Sequence, residues 1–152
     1  MNRFCTFILA ATMSTSLALT PGLFAQTLPP PVAEKVQAAQ KQIKMIGPDD
    51  YRKIVSNLGE TLIVDVREPQ EFAAGHVPGA INIPRGVLEF KIWNHVGYPT
   101  GTRMDQPIVL QCQSGNRASL AAQALTELGF TKTSAVVMSL DEWQKAGHPF
   151  EK

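Results

Sequence analysis

From Gly59 onward the chain alternates short β-branched apolar runs with segments whose apolar residues recur at helical spacing. Thr61 to Val66 reads as a buried strand, because every position but Asp65 is apolar or β-branched. Pro69 to Ala74 allows one or two helical turns before Gly75-His76-Val77-Pro78-Gly79 forces a turn, and Ala80 to Ile83 is a second short strand. Val87 to Trp93 is expected to be a short helix, and Asn94 to Gln106 a loop rich in Gly, Pro and Thr. Pro107 to Gln111 is the next strand. Arg117 to Leu128 is a helix with Gly129 as its stop, Ser134 to Met138 a further strand, and Asp141 to Ala146 a last helix ended by Gly147. This alternation predicts an α/β domain with a mainly parallel sheet.

Upstream, the pattern is only helical. Val32, Val36, Ala39 and Ile43 would share one face of a helix from Val32 to Ile43, behind the proline-rich spacer Leu28 to Pro31. Gly47-Pro48-Asp49-Asp50 turns the chain into a second, short helix whose apolar positions are Tyr51, Ile54, Val55 and Leu58.

The first 25 residues are set apart by a basic start at Met1 to Arg3, an uncharged apolar or small stretch from Phe4 to Leu19, and a Pro21-Gly22 break. They are expected to be a secretory signal peptide cut after Ala25, since the stretch carries several Ser and Thr and is short for a membrane span. The domain expectation is therefore a leader at 1–25, a linker and N-terminal helix at 26–45, and a folded domain at 46–152. A periplasmic or secreted location follows, without stable membrane association after cleavage.

Composition narrows the function. The full chain has 152 residues, 44% of them hydrophobic and 18% charged, which suits one packed domain. Its formal charge of +1 falls to zero once Arg3 is removed, and no basic run offers a footprint for a nucleic acid. Of two cysteines, Cys5 lies in the leader, so the mature chain keeps only Cys112 and cannot form an internal disulfide. Three scattered histidines and one cysteine give no metal-ligand spacing, and no cofactor is expected.

Chemistry concentrates where the strand ending at Gln111 runs into Cys112-Gln113-Ser114-Gly115-Asn116-Arg117 and then directly into a helix. Ligands gather at the carboxyl ends of parallel strands, and the free amide groups of a helix start favour an anion. The anion available is the Cys112 thiolate, which makes Cys112 the candidate nucleophile. Gly115 allows the backbone to curl around the sulfur, and Arg117 adds a permanent charge.

With these residues in place, the sequence resembles the rhodanese-like sulfurtransferases. The resemblance rests on Leu62-Ile63-Val64-Asp65-Val66-Arg67-Glu68, on Glu71-Phe72, on the run Gly75 to Pro84, and on the Cys112 loop, in that order. It covers about a hundred residues, Ile46 to Pro149. It implies a single α/β domain, a mainly parallel central sheet with helices on both faces, and a loop cysteine that takes up a sulfane sulfur as a persulfide. The implied partners are a small thiosulfonate or persulfide donor and an external thiol or cyanide acceptor. Related phosphatases use a longer Cys-x5-Arg loop, whereas Cys112 to Arg117 is Cys-x4-Arg and Gln111 stands where a His would be expected.

Other residues have plainer expectations. Asp65 and Arg67 are expected to form a structural ion pair at a strand end and to support the loop. Arg85 could face an anionic donor or simply be a solvated charge. His76 is expected to fix its own turn through a ring hydrogen bond, and His95 and His148 to be incidental. Phe72, Phe90, Trp93 and Trp143 are expected in the core or at its rim. Two departures from the family bear on substrates: Ser139-Leu140 replaces the usual Gly-Gly turn at the mouth, which would permit a more apolar entrance, and Gln113 to Asn116 are all neutral, which disfavours thiosulfate. Competing expectations are a non-catalytic binding module and a thiol-redox sensor.

Overall fold

The computed structural model describes residues 28–152; the leader expected at 1–25 lies outside the described residues. Five strands form one parallel sheet in the order β1-β5-β4-β2-β3, with β1 Lys44–Ile46, β2 Leu62–Asp65, β3 Ala80–Asn82, β4 Ile108–Gln111 and β5 Thr133–Val136. The helices are α1 Pro30–Gln40, α2 Pro48–Ser56, α3 Pro69–Ala73, α4 Leu88–Lys91, α5 Asn116–Glu127 and α6 Leu140–Lys145, with short 3₁₀ turns flanking α4.

Strand alternation builds two cores. Val64, Ile108, Leu110 and Ala135 face one side of the sheet, where Leu88, Ile92, Ala121, Ala122, Leu125 and Phe130 cover them. Their chain neighbours Ile63, Val109 and Val136 face the other side, against Tyr51, Leu140 and Trp143. Both faces of the central strands are covered, so β2 and β4 are apolar except at their carboxyl ends, where Asp65 and Gln111 are buried. The expected α/β sheet with helices on both faces is the observed architecture.

Three expectations change. β1 was not anticipated: the helix expected to reach Ile43 ends at Gln40, and Lys44-Met45-Ile46 pairs with Ser134-Ala135-Val136. Only Ile46 of these three is buried, so no apolar run marked the strand, and pairing with β5 outweighs the local helical preference. Ile43 still packs against the first core, from beyond the helix end. The second change is Phe90, which is 81% exposed and belongs to neither core. The third is β5, which begins and ends earlier than Ser134 to Met138 because Met138 and Ser139 turn into α6.

The topology fixes where a ligand can sit. β4 lies in the middle of the sheet; from β2 the chain moves to β3 on one side, and from β4 to β5 on the other. The two connections leave a crevice at the carboxyl ends of β2 and β4. Cys112 follows the last residue of β4.

Candidate functional site

Cys112 is 2% exposed and sits on the floor of the loop that leads into α5. Its sulfur accepts the amides of Gly115 at 3.2 Å and Ala118 at 3.4 Å. Both amides belong to the start of a twelve-residue helix, where backbone donors have no intrahelical partner and the dipole end is positive. A helix start of this kind, with its free amides aimed at one atom, is a place where an anion can be bound.

Gly115 closes the loop with φ +89°. A Cβ there would lie 2.9 Å from the Val136 carbonyl oxygen and 3.1 Å from Val137 Cα, so both conformation and space require glycine. Gln113 ties the other side of the loop to α6: its carbonyl accepts Leu140 N–H at 2.9 Å and its side-chain amide donates to Asp141 at 2.8 Å. Ser114 is exposed and Asn116 half-buried. Two clefts share the Gln113 and Asp141 pair as a lining. One, of about 550 Å³, also touches Leu28, Pro29, Ser114, Asn116 and Ser139; the other, of about 250 Å³, also touches Arg67, Glu71 and Gly75.

Arg117 is paired with a carboxylate at the edge of the loop. Its guanidinium donates two bonds to Glu71, at 2.7 and 2.8 Å. The pairing holds the Glu71 carboxyl well below its ordinary value of 4.5, at about 2, and raises Arg117 further. Glu71 also accepts Glu68 N–H at 3.1 Å as half of a capping box on α3. Glu71 was legible in the sequence only as part of the Glu71-Phe72 motif, not as a site residue.

Beneath the loop lies a buried polar chain. Arg67 donates to both oxygens of Asp65 at 2.7 to 3.0 Å and to the Gly75 carbonyl at 2.8 Å. Gln111 donates to Asp65 at 3.2 Å, and the Tyr51 hydroxyl donates to Gln111 at 2.6 Å. Asp65 and Arg67 are thus one ion pair inside a satisfied network, and Asn82 bonds both their carbonyls. Tyr51 and Gln111 escaped the sequence reading, since an aromatic on an amphipathic helix and a polar residue ending a strand carry no sign of each other.

The remaining candidates lie to the side. Arg85 is held by Glu89, one turn on, at 2.8 Å. His76 stacks on Phe72 and its Nδ1 is 3.2 Å from the Phe72 carbonyl, while Nε2 lies 3.4 Å from Glu151. His148 packs on Trp143. Ser139 caps α6 by accepting Glu142 N–H at 3.3 Å, and Leu140 is buried in the second core. The Ser139-Leu140 replacement therefore strengthens a helix start and fills the core; the mouth keeps the polar Gln113 and Asp141. Among the described residues, no three His, Cys, Asp or Glu side chains come together as metal ligands, and no helix is long and apolar enough to cross a membrane.

Residues 47–146 match the family model of the rhodanese-like domain. The chain belongs to that family. Among solved structures, it is similar to a Rhodopseudomonas palustris protein of unknown function described as a possible tyrosine phosphatase, at 27% identity and TM-score 0.68, covering 83% of this chain and 98% of that one. It is also similar to the polysulfide-sulfur transferase homodimer of Wolinella succinogenes, at 26% identity and TM-score 0.65, covering 80% and 88%. A human single-domain sulfurtransferase matches at 27% identity and TM-score 0.55, covering 66% and 95%. The rhodanese-like fold thus has sulfurtransferases among its structural neighbours here.

Proposed function

We propose that this rhodanese-like domain is a sulfurtransferase that carries a sulfane sulfur on Cys112. The observation that carries this reading is the pair of amide bonds from Gly115 and Ala118 to the Cys112 sulfur, at the N-terminus of α5. The Cys112 thiolate attacks the outer sulfur of the donor; the new S–S bond forms as the donor's sulfur–sulfur bond breaks, and the remainder leaves with the electron pair. The loop amides hold the resulting persulfide. An external nucleophile, a thiol or cyanide, then attacks the terminal sulfur and restores the thiolate, so the kinetics are ping-pong. No second thiol lies among the described residues to resolve the persulfide, and this supports an external acceptor.

Intact-mass spectrometry after exposure to a sulfane donor tests the reading. One added sulfur atom on the folded protein, removed by cyanide and absent in Cys112→Ser, is the expected result. No adduct from any donor on correctly folded protein overturns it and leaves a binding module; an adduct of oxygen or of the donor's thiol instead points to redox sensing.

A phosphatase reading of this chain, which the description of the Rhodopseudomonas protein raises, is weighed against by the four-residue spacing between Cys112 and Arg117 and by the engagement of Arg117 with Glu71. Turnover of an aryl phosphate would reverse that judgement. Export is a further part of the proposal, resting on the sequence of residues 1–25. Fractionation of cells expressing the full chain, with N-terminal sequencing, is expected to find a mature form starting at Gln26 outside the cytoplasm.

A further inference from the structure

We infer that Glu71 sets the class of sulfur donor: by holding Arg117 in a two-bond ion pair, it leaves the Cys112 loop without a free cation, so the site favours a singly charged organic persulfide over dianionic thiosulfate. The inference rests on the sulfurtransferase reading and deepens it.

The charges around the loop are matched. Arg117 is the only cation within Cys112 to Arg117, and both of the bonds described for its guanidinium end on Glu71. Arg67, on the wall of the smaller cleft, is spent on Asp65 and the Gly75 carbonyl. The same cleft carries the exposed Asp141 and, at its rim, Lys152, so the acid and the lysine balance in number. Gln113, Ser114 and Asn116 are neutral. What remains for a ligand is a set of backbone amides, enough to hold one negative sulfur but without the net positive charge that offsets desolvation of a dianion.

Both reactions balance. With an organic persulfide, the Cys112 thiolate takes the terminal SH and releases a thiolate; with thiosulfate it takes the outer sulfur and releases sulfite. The chemistry at Cys112 is the same, and only the charge brought into the cleft differs. Glu71 is therefore a positioning residue that acts through Arg117.

The test compares kcat/KM for thiosulfate and for cysteine persulfide, whose ammonium and carboxylate cancel and leave a single negative charge on sulfur, with cyanide as the common acceptor, in the wild type and in Glu71→Gln. Glutamine keeps one oxygen, which can accept both the Glu68 N–H and one Arg117 N–H as Oε2 of Glu71 does, and a thermal melt checks folding. The wild type, which needs no variant to fold, is expected to prefer the persulfide by at least about tenfold, the scale of one unmatched unit charge in a partly wet site. In Glu71→Gln the thiosulfate-to-persulfide ratio is expected to rise by about tenfold at low salt, with the gain shrinking as ionic strength approaches ~0.15 M. A wild type that uses thiosulfate as well as the persulfide, or a substitution that lowers both donors equally, overturns the role of Glu71 while leaving sulfur transfer intact. Failure of every donor to load Cys112 sinks both readings.

Discussion

The Tyr51 hydroxyl donates a 2.6 Å hydrogen bond to the side chain of Gln111, the residue immediately before Cys112, across 60 positions of sequence. The bond fixes the end of β4 from the opposite face of the sheet and joins it to Asp65 and Arg67. Because the phenol is buried, and the Asp65 carboxylate adds repulsion, its ionisation is pushed well above the ordinary value of 10.

Tyr51→Phe is expected to leave the Gln111 oxygen buried without its donor and to cost about 1–3 kcal/mol in a urea melt. The raised ionisation of Tyr51 favours the fold below pH 10, and its contribution is lost progressively as pH rises beyond that. An alkaline unfolding titration should therefore show Tyr51 ionising together with unfolding, and Tyr51→Phe should remove part of that pH dependence.

Arg67→Met should destabilise the protein by about 3–5 kcal/mol, since it strands a buried Asp65 carboxylate. Replacing both partners by apolar residues is expected to cost less than the two single changes together. A double-mutant cycle in denaturant measures this, and strict additivity would show that the ion pair is not coupled.

Gly115→Ala forces a side chain into a positive-φ position against the Val136 carbonyl. The expected loss is about 1–3 kcal/mol of stability. Sulfur loading should fall further than stability does, because a shifted Gly115 withdraws an amide from the Cys112 sulfur. Equal loading of the folded variant and the wild type would show that this amide is dispensable.

On the acid side, Glu71 is expected to stay ionised to about pH 2. Its carboxyl is depressed by folding, so the stabilisation from the Arg117 pair is complete above the unfolded value of 4.5 and is lost as pH falls toward 2. The pair is partly open to solvent, so that contribution is about 1 kcal/mol or less. The wild type and Glu71→Gln should therefore differ in stability at pH 6 and converge near pH 2, measured by denaturant melts in one buffer series.

Cys112 is almost covered, so a bulky maleimide should label it far more slowly in the folded protein than in urea, while a small persulfide reaches it under the same conditions. Rapid labelling of the native thiol by the maleimide would show that the loop opens freely.

Much of this molecule was legible in the chain. Continuous apolar runs located β2 and β4, and helical spacing located α5, because both faces of a central parallel strand are covered and a covering helix must show a stripe. The Cys112 loop stood out because a strand, a cysteine, a glycine and a helix start occur in immediate succession. Local pattern was silent where one element is defined only by another. β1 has a single buried residue and exists through its pairing with β5. Phe90 is apolar like a core residue, yet it lies on the solvent side of α4. The partners Tyr51 and Gln111, or Arg117 and Glu71, lie 60 and 46 residues apart. Sequence order thus determined which residue could be the nucleophile and what strand and helix would frame it. Only the tertiary structure decided which charges are neutralised, because burial and ion pairing depend on distances that strand order and crossover helices create.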